Sequence, residues 1–386
     1  MVEQYDNVQK IEGRHIGTST SISIIVKDGI ISEINQLNTK RESLPWIAPG
    51  LVDLQINGFQ GMDFNTLPIT EELISEAVRG LWKEGVTSFY PTVITNGVEE
   101  IEKVMSVFSN ACNKDTFVHE SIAGIHLEGP FISPEDGPRG AHGKEYVIAP
   151  DWSLFQRWQK AAEGRIKILT LSPEWSNSTD FIRKCSDEGV TVSIGHTAAT
   201  SEQIIEAVKA GARMSTHLGN GAHTMLPRHP NYLWEQLAQE QLWTGFIADG
   251  FHLPDSVIKV ILRTKRDKAI LVSDAVYLSG LEPGLYETHI GGKVVLAEEG
   301  KLHLAENPNL LAGSAQLLTW GIEQLIQKGL CSLSEAWEMA SIRPASCMNI
   351  PLHKIEVGNR PDFVVFEWDG QHIKIKDTFK NGVQVY

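Results

Sequence analysis

The sequence predicts an α/β chain folded as a (β/α)8 barrel of the TIM type, with a small β-sandwich-like domain formed by its N- and C-terminal segments. Three observations carry that expectation. Eight apolar, β-rich runs recur along the middle of the chain, and helical patterns closed by glycine lie between most of them. Both flanks break this rhythm with alternating, hairpin-like segments.

The runs are, in order, LVDLQING, VTSFYPTVI, IAGIHLEG, IKILTLSPE, VTVSIGHT, RMSTHLGNG, LWTGFIADG and AILVSDA. Between them, TEELISEAVRGLWKEG stops at Gly85, SLFQRWQKAAEG at Gly164 and FIRKCSDEG at Gly189. TSEQIIEAVKAG opens with Thr200 and Gln203 at capping-box spacing and stops at Gly211. Glycine just past a helix, followed by a buried strand, is the connection a repeated β/α unit requires. A doubly wound sheet is the structural alternative, but no GxGxxG or Walker loop follows an early strand.

On the N-terminal flank, SISIIVKDGIISEINQ alternates and turns at Asp28-Gly29; on the other, DFVVFEWDGQHIKIKDTFKNGVQVY turns at Asp369-Gly370 and Asn381-Gly382. The expected division is residues 1–48 with 352–386 as the small domain and 49–351 as the barrel. After the eighth run, GGKVVLAEEGKLHL is an alternating pair, read as an insertion before a helix starting near Ser314.

Bulk properties fit a soluble enzyme. Hydrophobic residues make up 42% of 386 and charged residues 21%, enough for a sizeable core. A net charge of −14 argues against nucleic acid or an anionic membrane as the main partner. Cys112, Cys185, Cys331 and Cys347 show no CxxC spacing and are expected to be free thiols. The stretch MVEQYDNVQK lacks the character of a signal peptide, and no apolar run reaches membrane-spanning length, so a cytoplasmic protein is expected.

Chemistry gathers where the runs end. The third ends in His126-Leu127-Glu128, the fifth in Gly195-His196-Thr197 and the sixth in Thr216-His217-Leu218. The seventh ends in Asp249-Gly250-Phe251-His252 and the eighth in Ser273-Asp274-Ala275. Singly, each has a plainer explanation, as a hydrogen-bonded strand-end histidine or a helix-capping aspartate. Together they place imidazoles and carboxylates at one barrel mouth, the composition of a metal-assisted hydrolase. The first run departs from that pattern. Where many metal-dependent hydrolases carry two histidines one residue apart, this chain has Gln55 and Asn57.

The motifs GIHLEGPF, SIGHT, THLGN and IADGFH, in that order, together with PGLVDLQING, RGAH, SDA and LAGS, make the chain similar to the N-acetylglucosamine-6-phosphate deacetylase family of the amidohydrolase superfamily. The resemblance runs over nearly the whole length. It implies one divalent metal per subunit, most often Zn2+ with Fe2+ or another divalent ion as alternatives, held by Glu128, His196 and His217. It implies Asp274 as acid/base, His142 as a second catalytic group, and Gln55 and Asn57 as a vacated second metal site. Ala141, His142, Asn220, Gly221, Asp249, His252 and the loop Leu311-Ala312-Gly313 match substrate-contacting positions. Arg228 matches an arginine that reaches the substrate phosphate of a neighbouring subunit, so a homodimer is expected. Read without the family, Arg228 in MLPRHPN is a surface residue.

That constellation suits amide hydrolysis. An acetamide has a poor leaving group, so the attacking water must be activated and the departing amine protonated. Where the family commonly has Tyr-Asn-Ala-Met after HL, this chain reads Gly219-Asn220-Gly221-Ala222-His223, and His229 follows. The sugar-phosphate end is therefore less fixed than the amide end. N-acetylgalactosamine 6-phosphate and unphosphorylated N-acetylglucosamine stay open as substrates. Two other classes compete. A deaminase or cyclic amidase usually wants the first-strand histidines and often a lysine ending the fourth strand, which here ends LTLSPEW. A non-catalytic sugar-phosphate sensor would be expected to lack the ligands or Asp274.

Overall fold

The computed structural model describes residues 8–38, 43–288, 292–351 and 355–386. Eight parallel strands form its centre: β1 Leu51–Ile56, β2 Val86–Ile94, β3 Ile125–Glu128, β4 Ile166–Leu171, β5 Thr191–Ile194, β6 Met214–Ser215, β7 Trp243–Phe246 and β8 Ala269–Leu271. They pair in chain order from β1 to β8. The ring closes just beyond β8, where Asn57 N–H donates to the Ala275 carbonyl at 2.7 Å and Asp274 N–H to the Gln55 carbonyl at 2.9 Å. The expected barrel is present.

Alternation along the strands explains the two apolar layers. Val52, Leu54, Tyr90, Ile168, Met214, Ile247, Ile270 and Val272 pack together in one buried cluster, while Leu51, Val86, Ile125, Leu127, Leu169 and Val192 join the larger core shared with the helices. The helices behave as their patterns require. The first spans Glu71–Lys83, capped by the Thr70 side chain, with Gly85 following at φ +78°. Thr200 and Gln203 form a complete capping box on Ser201–Ala210, and Gly211 closes that helix at φ +118°. Only glycine reaches such angles without strain.

A second sheet is built from chain segments far apart in sequence. Its order runs from Val383–Gln384 through Ile373–Lys380, Phe363–Trp368, Trp46–Pro49 and Val8–His15 to Ser21–Lys27 and Ile30–Gln36. The turn at Asp28-Gly29 falls as expected, with φ +51° and +77°. Trp337, on a helix of the barrel, stacks flat on Phe366 of this sheet at 4.3 Å and donates from Nε1 to the Pro49 carbonyl at 2.8 Å. The expected domain limits at residues 1 and 352 lie outside the described residues.

The insertion after β8 is larger than its sequence pattern shows. GGKVVLAEEGKLHL supplies its two middle strands, and Gly284–Thr288 and Asn307–Leu311 extend the sheet to four. The helix expected near Ser314 starts instead at Leu318. Ser314 is held out of helix by pairing with Ala275, its carbonyl accepting from Val276 N–H at 2.9 Å. All four cysteines are free. No helix among the described residues is long and apolar enough to cross a membrane.

Candidate active site

The C-terminal ends of the strands carry the chain out of β geometry abruptly. His196, His217 and Asp274, each just past its strand, take φ of +48°, +25° and +48°. Left-handed backbone at non-glycine residues is costly and concentrates at functional sites. Here it turns three polar side chains into one mouth.

Glu128, His196 and His217 are the group of side chains, among the described residues, whose ligand atoms converge enough to hold a metal ion, all within 4.8 Å of one another. Glu128 Oε1 lies 3.3 Å from His196 Nε2 and 3.1 Å from His217 Nε2. Each of the three is at least nine-tenths buried. His196 donates from Nδ1 to the Pro138 carbonyl at 2.8 Å, which leaves the Nε2 lone pair facing the cluster. Space around this ring is tight, since a Cβ on Gly221 would lie 2.6 Å from His196 Nδ1.

Electrostatics favour a cation at the centre. Burial works against charge on Glu128, yet hydrogen bonds from His196 and His217 hold its carboxyl well below the usual range. Burial also opposes protonation of His217, but the facing Glu128 lifts its pKa to about 9. Two neutral-capable imidazoles and one ionised carboxylate are a donor set that several divalent ions accept. The residues present therefore fit a metal.

Asp274 sits beside this group, pushed up to about 6 by burial and by the nearby Glu128 charge, against the opposing pull of His217. Its Oδ1 accepts from Asn57 Nδ2 at 2.8 Å. Gln55 donates from Nε2 to Glu128 Oε1 at 2.9 Å. His142 is buried, with its ring 4.4 Å from that of His196 and Nδ1 2.8 Å from Thr95 Oγ1. Burial drives its pKa down to about 3, so it is neutral near pH 7.

The remaining expected residues have partners and exposures of their own. Asp249 Oδ2 accepts from His252 Nδ1 at 2.6 Å. Asn220 caps the turn after His217 by donating from Nδ2 to its carbonyl at 3.3 Å. Ala141 is exposed beside His142. Leu311, Ala312 and Gly313 lead directly into Ser314, which pairs with Ala275 one residue past Asp274. Arg228 is exposed, and its side chain makes no hydrogen bond or ion pair with the cluster in this chain. His223 contacts Glu135 at 3.0 Å and the Tyr232 hydroxyl at 3.0 Å.

Several supports of the site lie outside the residues predicted from the sequence. Asp53, fully buried in β1, accepts from Gln55 N–H at 3.2 Å and Ser273 N–H at 3.3 Å and so ties β1 to the segment bearing Asp274. A lone carboxylate inside the apolar run LVDL was the available signal. His126, one of the strand-end histidines, is no part of the cluster; it bonds the Leu54 carbonyl and the Thr170 hydroxyl. Pro138 and Thr95 carried no signal of their own.

A parallel barrel whose mouth gathers a Glu-His-His set able to hold a metal beside a half-buried aspartate defines a hydrolase-type metal barrel. The chain belongs to the amidohydrolase family, whose model matches residues 46–385. It is 31% identical to the N-acetylglucosamine-6-phosphate deacetylase of Bacillus subtilis over 370 residues, covering 89% of this chain and 90% of that protein. The Bos taurus enzyme of the same name is 32% identical over 88% of this chain and 83% of its own length. Among solved structures, the N-acetyl-D-glucosamine-6-phosphate deacetylase of Mycobacterium smegmatis superposes with a TM-score of 0.86 at 23% identity, covering 98% of this chain and all of that one. That likeness bears on the fold.

Proposed function

We propose that the chain is a metal-dependent deacetylase that converts N-acetyl-D-glucosamine 6-phosphate to D-glucosamine 6-phosphate and acetate. The observation that carries the reading is the convergence of Glu128, His196 and His217 beside Asp274. The N-acetylglucosamine-6-phosphate deacetylases among its relatives support the substrate.

Glu128, His196 and His217 would hold one divalent ion, zinc by preference, which when bound polarises the amide carbonyl and lowers the pKa of water. Asp274 takes the proton from the attacking water and returns it to the departing amine, a task suited to a carboxyl with pKa about 6. His142, neutral and anchored through Nδ1 to Thr95, keeps Nε2 for the developing oxyanion. Asp249 fixes the His252 ring for a sugar contact. Ala141, Asn220, Gly221 and the loop 311–313 line the rest of the substrate site.

The phosphate is met by backbone donors near Asn220-Gly221 and by Arg228 of a neighbouring copy in a homodimer. Support for that interface comes from the same stretch of chain, where Met225 is 86% exposed and Trp234, on the helix that follows the loop, 57% exposed. A cytoplasmic location fits this substrate and the four free thiols. The test is acetate release from phosphorylated and free N-acetylglucosamine and N-acetylgalactosamine. Turnover is expected to be highest on N-acetylglucosamine 6-phosphate; activity confined to free sugars would overturn the phosphate role of Arg228.

A further inference from the structure

Of the strands β3 to β6, only β4 lends no residue to the Glu-His-His cluster. It runs on into Ser172-Pro173-Glu174, and the Glu174 carboxylate gathers three donors from three strand ends. Its Oε1 accepts from the Ser133 hydroxyl beyond β3 at 3.0 Å. Its Oε2 accepts from the Ser172 hydroxyl at 2.6 Å and from Ala198 N–H beyond β5 at 2.9 Å. Because the Ser172 hydrogen goes to Glu174, the Thr197 hydroxyl, 2.7 Å from Ser172 Oγ, must donate its own to that oxygen.

His196 lies among these anchors. Its carbonyl accepts from Ser133 N–H at 2.9 Å, so the residue whose hydroxyl Glu174 holds also holds His196. Thr197 is tied to Glu174 through Ser172, and Ala198 is tied directly. The segment fixed in this way contains the left-handed backbone of His196, at φ +48°. A non-glycine residue keeps that conformation only where its surroundings over-determine it.

We propose that Glu174 is a positioning residue for the metal site, which locks the turn after β5 so that His196 presents Nε2 to the ion. This rests on the metal-dependent reading above. Pro138 fixes the ring through Nδ1, and Glu174 fixes the backbone from which the ring projects. Glu174 is itself no member of the converging cluster, so its effect on the ion passes through His196.

The test measures zinc affinity by chelator competition, kcat at saturating zinc and metal-free Tm for wild type, Glu174→Ala, Glu174→Met, Glu174→Gln and Trp337→Ala. Alanine and methionine both remove the acceptors, the first leaving room for water and the second filling the space. Each is expected to weaken zinc binding about 10- to 100-fold, the usual effect of removing a partner that orients a metal ligand. At saturating zinc, kcat is expected to return to within about threefold of wild type, since Asp274 and His142 keep their own partners, Asn57 and Thr95. Glutamine keeps one oxygen for Ser172 and Ala198 and offers its NH2 to Ser133 Oγ, so it is expected to hold zinc within about threefold of wild type. Trp337→Ala, remote and destabilising, is expected to do the same. A merely structural brace would lower metal-free Tm in Glu174→Ala and Glu174→Met and leave zinc affinity within about threefold of wild type, which overturns the inference. Zinc binding weakened as much by Trp337→Ala as by the Glu174 variants overturns it as well. Wild-type protein that binds no divalent ion would instead overturn the functional reading, and this inference with it.

Discussion

His196 is aimed by Pro138: its Nδ1 proton is committed to the proline carbonyl at 2.8 Å, so Nε2 faces Glu128. Such a partner fixes both the tautomer and the ring orientation of a metal-ligating histidine. Gly221 packs close to the same ring, where a Cβ would lie 2.6 Å from Nδ1 at a backbone φ of +55°. Gly221→Ala is therefore expected to displace His196 and weaken zinc binding about 10- to 100-fold with the fold retained. Chelator competition alongside circular dichroism reads this; unchanged affinity would refute the packing argument.

Metal uptake should depend on pH through His217. Its pKa is raised from 6.5 to about 9 by Glu128, so its proton must leave before its nitrogen can bind a metal. Apparent zinc affinity is expected to rise about tenfold per pH unit between roughly pH 7 and 9, with about one proton released per metal. The sign for stability of the metal-free protein is the reverse. A raised folded pKa stabilises fully below about 6.5, and that contribution is lost as pH rises through about 9. Metal-free Tm should fall across that window, and zinc-loaded Tm should not follow it.

Asp274→Asn should preserve metal content and lower kcat by about 10²- to 10⁴-fold, the range attributed to a positioned acid/base. Near-normal kcat would remove Asp274 from the reaction.

Restoring histidines at both first-strand positions offers a gain of function. Gln55→His with Asn57→His removes the two N–H donors from Glu128 and Asp274 and supplies lone pairs in their place. Metal content is expected to rise from about one to about two ions per chain. A constant stoichiometry at saturating zinc would count against a vacated second site.

Trp337 is fully buried, stacked on Phe366 and bonded to the Pro49 carbonyl. Trp337→Ala should cost about 3–5 kcal/mol in denaturant unfolding, far from the active site. A loss below about 1 kcal/mol would show that this barrel helix and the seven-stranded sheet are not coupled through the contact.

Much of the fold was legible because its signals are local. Glycines 85, 164, 189 and 211 follow helices whose apolar faces repeat at helical spacing, and the runs between them are too short and too apolar to be anything but buried strands. The cluster was legible for a related reason, since Glu128 ends a strand and His196 and His217 each lie two residues past one. What escaped depends on pairing across the barrel. Ser314 is kept from helix by Ala275, 39 positions earlier in the chain, and Gln55 finds Glu128 73 positions later. No local pattern in GSAQLL or DLQIN encodes those partners.

The seven-stranded sheet joins Trp46–Pro49 to Phe363–Trp368, so its two halves are separated by the entire barrel. A growing polypeptide therefore presents Trp46–Pro49 with an unmated edge until the far segment has left the ribosome. The barrel has time to form first, and the later strands then lock onto it as a clasp. Nascent chains halted before Phe363 should be the form most exposed to chaperones and to strand-to-strand association.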